Sequence, residues 1–214
     1  MEEIFDVKKF FISTLMTIAF LINSAVITSA ANAEYILNSA ELNPTYTGFE
    51  PCDKMINYTL YYVVNDSMST YEKVKACYDY LIDYSSYGDN VERLKYLEYV
   101  PDYWIGAGRA CGMLEGHIGA CDDYSCAFAA LVRAIGLNCY TVYGQTSRAS
   151  GGMTGHIWTV INVDGEEYIF DPQIDDNISK GGQTYYYRFC KTYDEVSGCY
   201  APAYYDKYGY FQSF

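Results

Sequence analysis

GACDDYSCAFAALVRAIGL, residues 119–137, followed by TGHIWTVINVDGEEYIFDP, residues 154–172, decides the fold of this chain. In the first stretch, Ala127 to Leu137 is apolar on nearly every side, which predicts a helix buried all round, with Gly136 as its C-terminal stop. Cys121 falls in the first turn of that helix. Unpaired backbone N–H groups and the positive end of the helix dipole favour a thiolate there. The same groups could face the oxyanion of a tetrahedral intermediate. Asp122 and Asp123 pull the other way: acids in a first turn stabilise the helix, but negative charge beside a sulfur disfavours its thiolate. A nearby imidazolium must outweigh them, which requires the acids to point away from the sulfur.

In the second stretch, Asp164-Gly165 lies between two strand-like runs, a strong signal for a two-residue hairpin turn. Centring the turn there pairs Val163 with Glu166 and, counting outward, Trp158 with Asp171. Side chains alternate faces, so His156 shares the face of Trp158 and lies diagonal to Asp171, within side-chain reach. An odd-length loop would flip this parity. Pro172 ends the strand and leaves Asp171 at its edge. A lone cysteine is usually a buried inert thiol, as Cys126 is expected to be. With an imidazole and a carboxylate placed on one face, Cys121 instead becomes one of the three parts of a thiol acyl-transfer site. The other histidine, His117, sits four residues before Cys121 in a glycine-rich segment. No carboxylate has an equally definite relation to it, so His156 is the preferred base.

Half of the residues are hydrophobic in a chain of 214, enough for one domain with a substantial core. A formal net charge of −13 lacks the basic footprint of a nucleic-acid or anionic-membrane binder, and no nucleic-acid partner is expected. Tyrosine, at 26 residues spread over the whole chain, predicts half-buried packing at the core margin, while some clusters could line a peptide or sugar groove.

Residues 1–33 begin with Lys8 and Lys9, run apolar from Phe10 to Thr28 and end Ala31-Asn32-Ala33 before Glu34. That is the layout of a secretory signal peptide cleaved after Ala33, and a secreted, extracellular chain is expected. Glu2, Glu3 and Asp6 dilute the basic stub, and the apolar run is long enough to keep an uncleaved anchor open; only then would the chain touch a membrane. Ser13, Thr14, Asn23 and Ser24 interrupt the run.

The cysteines Cys52, Cys77, Cys111, Cys121, Cys126, Cys139, Cys190 and Cys199 all lie beyond this segment, where disulfides could persist. Cys190 and Cys199, bracketing a loop with Gly198, are the first candidates for a bridge, although connectivity does not follow from sequence. Cys121 and Cys126 are spaced C-x4-C and no CxxC occurs, so a structural zinc site is not expected. No other metal and no cofactor is expected.

Residues 34–52, with Pro44, Gly48 and Pro51, read as an extended N-terminal arm, and residues 53–175 as the catalytic domain. Met55, Ile56, Leu60, Val63 and Val64 have helical spacing. Ser69 followed by Glu72 is a capping box opening a helix to about Tyr84, with Val74, Cys77, Tyr78 and Leu81 on one face. A shorter helix is expected from Val91 to Tyr99, ended by Pro101. The glycines from Gly106 to Gly119 suggest a chain that turns sharply into the following helix. Residues 176–214 form a Tyr-rich flank or lid of the same domain with no assignable secondary structure.

Taken together, Gly-Ala-Cys121, the buried helix ending Ala-Ile-Gly136-Leu, then Gly144, Gly155-His156-Ile-Trp158 and Asp164-Gly165 leading to Phe170-Asp171-Pro172 resemble the transglutaminase-like superfamily. Met68-Ser69-x-Tyr71-Glu72-Lys73, Tyr78-Asp79-Tyr80 and Ala110-Cys111-x-Met113-Leu114 are similar to the helical lead-in of its bacterial members, over roughly Asp53 to Asp175. The resemblance implies an α+β, papain-like fold, in which a central helix carrying Cys121 packs on an antiparallel sheet carrying His156 and Asp171. It implies Cys121 as nucleophile, His156 as base and then acid, and Asp171 as its orienting partner. Peptide or protein amides are the implied substrates, attacked to give a thioester that water resolves, as in a cysteine peptidase or amidase. An amine acceptor, as in a transglutaminase, and a catalytically silent peptide- or glycan-binding module of the same fold stay open. The paired CxxC zinc motifs of related peptide N-glycanases and the long multidomain build of calcium-dependent animal members are lacking, so no calcium requirement is expected. The expected state is a monomer. Trp104 and Glu115 lie upstream as unassigned candidates for a second oxyanion donor.

Overall fold

The structure is a computed structural model in which residues 32–89, 92–98, 105–179 and 183–204 are described. In chain order it has α1 (residues 32–39), α2 (Glu50–Val63), α3 (Thr70–Tyr84), β1 (Ser86–Tyr87), α4 (Glu92–Leu97) and α5 (Ile105–Gly116). Then follow β2 (Ile118–Gly119), α6 (Cys121–Ile135), β3 (Cys139–Ser147), β4 (Met153–Val163), β5 (Glu166–Phe170), α7 (Pro172–Ile178), β6 (Phe189–Lys191) and β7 (Tyr200–Tyr204). The apolar run from Phe10 to Thr28, both ends of the expected Val91–Tyr99 helix, Pro101 and Trp104 lie outside the described residues. Among those described, no helix is long and apolar enough to cross a membrane.

A helix apolar on all sides must be covered on all sides, and α6 is: every residue from Tyr124 to Val132 is 2% exposed or less. It lies between α3 and α5 on one side and β3 and β4 on the other. Gly136 ends it with φ 123, a conformation costly for any side chain. Tyr78 of α3, Phe128 of α6, Phe170 of β5 and Phe189 of β6 interlock beneath it edge-on or tilted, with ring centroids 5.0 to 5.5 Å apart.

The sheet runs β6-β5-β4-β3-β7, antiparallel throughout. Asp164 and Gly165 turn with φ of 54 and 90, as a two-residue hairpin of the sheet's own twist requires. The ladder accordingly pairs Val163 with Glu166 and Thr159 with Phe170, in the parity counted from sequence. One face meets α6 through Ile157 and Ile161. The other, with Val142, Trp158, Val160 and Ile169, is closed by Val196, Tyr193 and Tyr200 of the C-terminal segment. The whole is the expected α+β fold, a buried helix with cysteine at its N-terminus packed on an antiparallel sheet.

Four local expectations differ from what forms. Within the supposed extended arm, residues 32–39 are helical, with Ala33, Ile36 and Leu37 buried at helical spacing; Pro44 and Gly48 govern only the irregular stretch beyond. The glycine-rich stretch is largely the helix α5, in which Gly106, Gly108 and Gly112 are buried, small enough for close packing against α6. The sharp turn is made instead at His117, with φ 54. Within the flank beyond residue 176, residues 189–191 and 200–204 form the two edge strands of the sheet, so these described parts belong to the fold rather than to a lid. Cys190 and Cys199 remain separate free thiols.

Gly144 lies opposite His156 in the β3–β4 ladder, and a Cβ there would come within 2.4 Å of the Ala201 carbonyl oxygen and 2.7 Å of the Trp158 ring. Gly144→Ala is expected to destabilise the fold by about 1–3 kcal/mol, measured as a lower urea midpoint.

Candidate active site

The hairpin register brings an imidazole to a carboxylate. His156 Nε2 lies 2.6 Å from Asp171 Oδ2, both groups buried. Cys121 is near enough to the ring to act on its charge. Asp171 follows the last residue of β5 and is the N-cap of α7: its Oδ1 accepts from the Ile174 N–H at 3.1 Å, and Pro172 opens the helix. A residue at once strand end and helix cap has little freedom, and its second oxygen is aimed at His156.

Cys121 comes from the other side of the fold and is half-buried at the first position of α6. One turn further, Ser125 Oγ donates to the Ile157 carbonyl at 3.0 Å and Thr159 Oγ1 donates to the Ser125 carbonyl at 3.1 Å. This reciprocal pair binds α6 to β4 beside His156. Gly119 serves the approach to the helix: a Cβ there would lie 2.6 Å from Asp123 Cβ and 2.7 Å from Met113 Sδ.

The family profile described as the Transglutaminase-like superfamily matches residues 58–172, more than half of the chain. The chain belongs to the transglutaminase-like superfamily. Members of this superfamily are typically cysteine-dependent enzymes. A solved structure described as a candidate cysteine protease from Cytophaga hutchinsonii is similar at 16% identity over 61% of this chain and 40% of its own, with a TM-score of 0.41. One described as a TGase is similar at 18% identity over 70% of this chain and 36% of its own, with a TM-score of 0.39. This chain thus spans less than half the length of either. Comparison with curated proteins finds no match.

In this transglutaminase-like site, burial works against a charged His156. The charge and hydrogen bond of Asp171, with a further contribution from Cys121, outweigh it and push the imidazole up to about 10. The acids flanking Cys121 are engaged by α5: Arg109 Nη1 lies 2.5 Å from Asp122 Oδ2 and 3.3 Å from Asp123 Oδ1. Asp123 Oδ2 also accepts the Ala120 N–H at 2.9 Å, half of a capping box. Elsewhere, burial pushes the Cys139 and Cys190 thiols up to about 12, and those of Cys77 and Cys126 well above the ordinary thiol range.

His117 and Glu115 stand apart from the site. The His117 ring packs edge-on to Tyr80 at 5.8 Å and its buried Nδ1 has no hydrogen-bond partner among the described residues. Glu115 pairs with Lys95 at 2.9 Å and Tyr96 at 2.6 Å. One member of the site escapes sequence reasoning: Tyr200 of β7 donates its hydroxyl to Asp171 Oδ2 at 2.7 Å while its ring lies 4.8 Å from that of Trp158. No local motif marks Tyr200 among so many tyrosines.

A folded-state value near 10 against an ordinary 6.5 means that the His156 proton stabilises the fold fully below pH 6.5 and that this contribution is lost as pH rises through about 10. The His156 ring signals in NMR should therefore stay those of imidazolium at neutral pH, and Asp171→Asn should bring their midpoint down toward 6.5.

Proposed function

We propose that the chain is a secreted, bacterial-type member of the superfamily that carries out thiol-dependent acyl transfer on peptide or protein amides, with Cys121 as nucleophile and water as acceptor. The observation that supports this reading best is His156, held at 2.6 Å by the buried Asp171 carboxylate and near enough to Cys121 for the thiol to act on its charge. The Cys121 sulfur attacks the amide carbonyl carbon, and the oxyanion formed is met by first-turn N–H groups of α6. Protonated through neutral pH, His156 donates to the departing amine as the C–N bond breaks, leaving a thioester and a neutral ring. The ring then takes a proton from water, whose oxygen attacks the thioester carbonyl; the C–S bond breaks to release a carboxylic acid and the Cys121 thiolate beside the reprotonated ring. Asp171, with Tyr200 and Ile174 N–H on its oxygens, holds the imidazole in orientation throughout. No metal or cofactor enters these steps. Domain limits follow the same reading, with residues 53–175 as catalytic domain, residues 176–214 completing it, and the monomer as working unit.

Cys121→Ala is expected to lower turnover of labelled protein substrates by at least about 10³-fold. Mass spectra of the products should show new carboxyl termini or deamidated side chains. Incorporation of an added primary amine would instead assign an amine acceptor, and wild-type turnover by the variant would overturn the proposal. In the untreated protein, iodoacetamide near neutral pH should label Cys121 faster than the similarly half-buried Cys199; a chain without this preference would be a silent binding module.

Export rests on the segment before Glu34. Expression of the full chain in a secreting host is expected to yield a mature protein beginning at Glu34, read by N-terminal sequencing. Retention of residues 1–33 in a membrane fraction would assign an anchored form.

A further inference from the structure

Helix α6 contains a conflict between its own stability and the chemistry proposed for its first residue. Acids at Asp122 and Asp123 suit the helix N-terminus, and Asp123 also caps it through the Ala120 N–H. The same acids place two negative charges next to the sulfur. Arg109 is the cation that meets both, reaching from α5 between the small residues Gly108 and Ala110, which let the two helices approach closely. Its side chain is 21% exposed, and Asp123 is fully buried, so solvent screens the cluster only in part.

We propose that Arg109 is a positioning residue for the Cys121 thiolate: by binding Asp122 and Asp123 it turns their carboxylates to α5 and cancels charge that would otherwise hold the proton on the sulfur. The inference rests on the reading of Cys121 as nucleophile. The other groups whose charge acts on Cys121 are His156 of β4, with Asp171 behind it, Tyr87 of β1, and Cys126 one turn along α6. Of these, only protonated His156 is cationic; the charge of Arg109 acts on Asp122, Asp123 and Cys126, so it reaches Cys121 through the two acids it binds.

The test follows alkylation of Cys121 by iodoacetamide against pH in the full chain, with the modified cysteine located by peptide fragmentation because Cys126 shares its peptide. Arg109→Met is expected to move the profile up by about one pH unit, and Arg109→Lys by less, since the charge is kept but the fork is lost. Adding Asp122→Asn to Arg109→Met should return most of the shift. Asp122→Asn alone, with Arg109 in place, should move the profile down. A merely structural role for Arg109 would lower the melting temperature and leave the profile where it is. A folded Arg109→Met protein with the wild-type profile overturns the proposal; if that variant does not fold, an unshifted profile in Asp122→Asn overturns it equally. Alkylation needs no substrate, so these outcomes are separate from loss of the catalytic reading, which would appear as turnover by Cys121→Ala.

Discussion

Groups that act together must be held to within about half an ångström of their working geometry, and Ser125 and Thr159 fix the helix that carries Cys121 against the strand that carries His156. Each side chain donates to the other element's backbone, Ser125 to Ile157 and Thr159 to Ser125, in a region closed to water. Ser125 is one helical turn from Cys121, and Ile157 is next to His156, so the clamp is as near to the pair as it can be without joining it. Because both hydroxyls are buried, sliding α6 along β4 would leave at least two polar groups unsatisfied, at about 1–3 kcal/mol each. Apolar packing of α6 alone would tolerate such sliding far better. The hydrogen bonds convert a greasy contact into a register.

The carboxylate end is fixed by a longer chain of dependence. Asp171 is wholly buried, which would be costly for an unpaired charge. His156, Tyr200 and the Ile174 N–H supply three donors. Tyr200 reaches it only because β7 pairs with β3 across the bulge at Tyr143 and Gly144, where the missing side chain of Gly144 admits both the Trp158 ring and the Ala201 carbonyl. Trp158 is held in turn by its indole N–H, which donates to the Tyr193 hydroxyl at 3.1 Å. A segment remote in sequence thus closes the back of the candidate site, and an outer strand of the sheet contributes to it as its centre does.

What could be read from the sequence was whatever a short period or a turn determines. Parity counted from Asp164-Gly165 placed His156 against Asp171 because a strand alternates strictly and a two-residue turn leaves no slack. Ser69 with Glu72 marked the start of α3 for the same local reason. The glycines of α5 misled because glycine's freedom is only one of its uses; the absence of a side chain serves close helix packing equally well. Asp171-Pro172 was read as a strand's end, although an N-cap acid followed by proline is also a helix start. Tyr200, Arg109 and the Ser125–Thr159 clamp depend on which elements meet, and no local spacing records that.

The unusual composition has one physical explanation in these contacts. With 27 acids against 14 basic residues, many carboxylates lack a cation to pair with. Tyrosine hydroxyls serve as donors instead: Tyr78 donates to Asp175 and Tyr124 to Asp176, each at 2.6 Å, while Tyr200 on Asp171 and Tyr96 on Glu115 add to the cations His156 and Lys95, and Tyr140 meets Glu167 nearer the surface. A phenol is a neutral donor on a large apolar ring, so it satisfies a buried carboxylate while filling core volume and bringing in no second charge to desolvate. Burial still has its effect where donors are few: Asp175, with Tyr78 and the Arg188 N–H as partners, is pushed up to about 7. Three tyrosine–aspartate pairs meet around α7 and the end of β5, so the abundance first read as packing at the core margin is also the means by which an acidic chain keeps carboxylates inside.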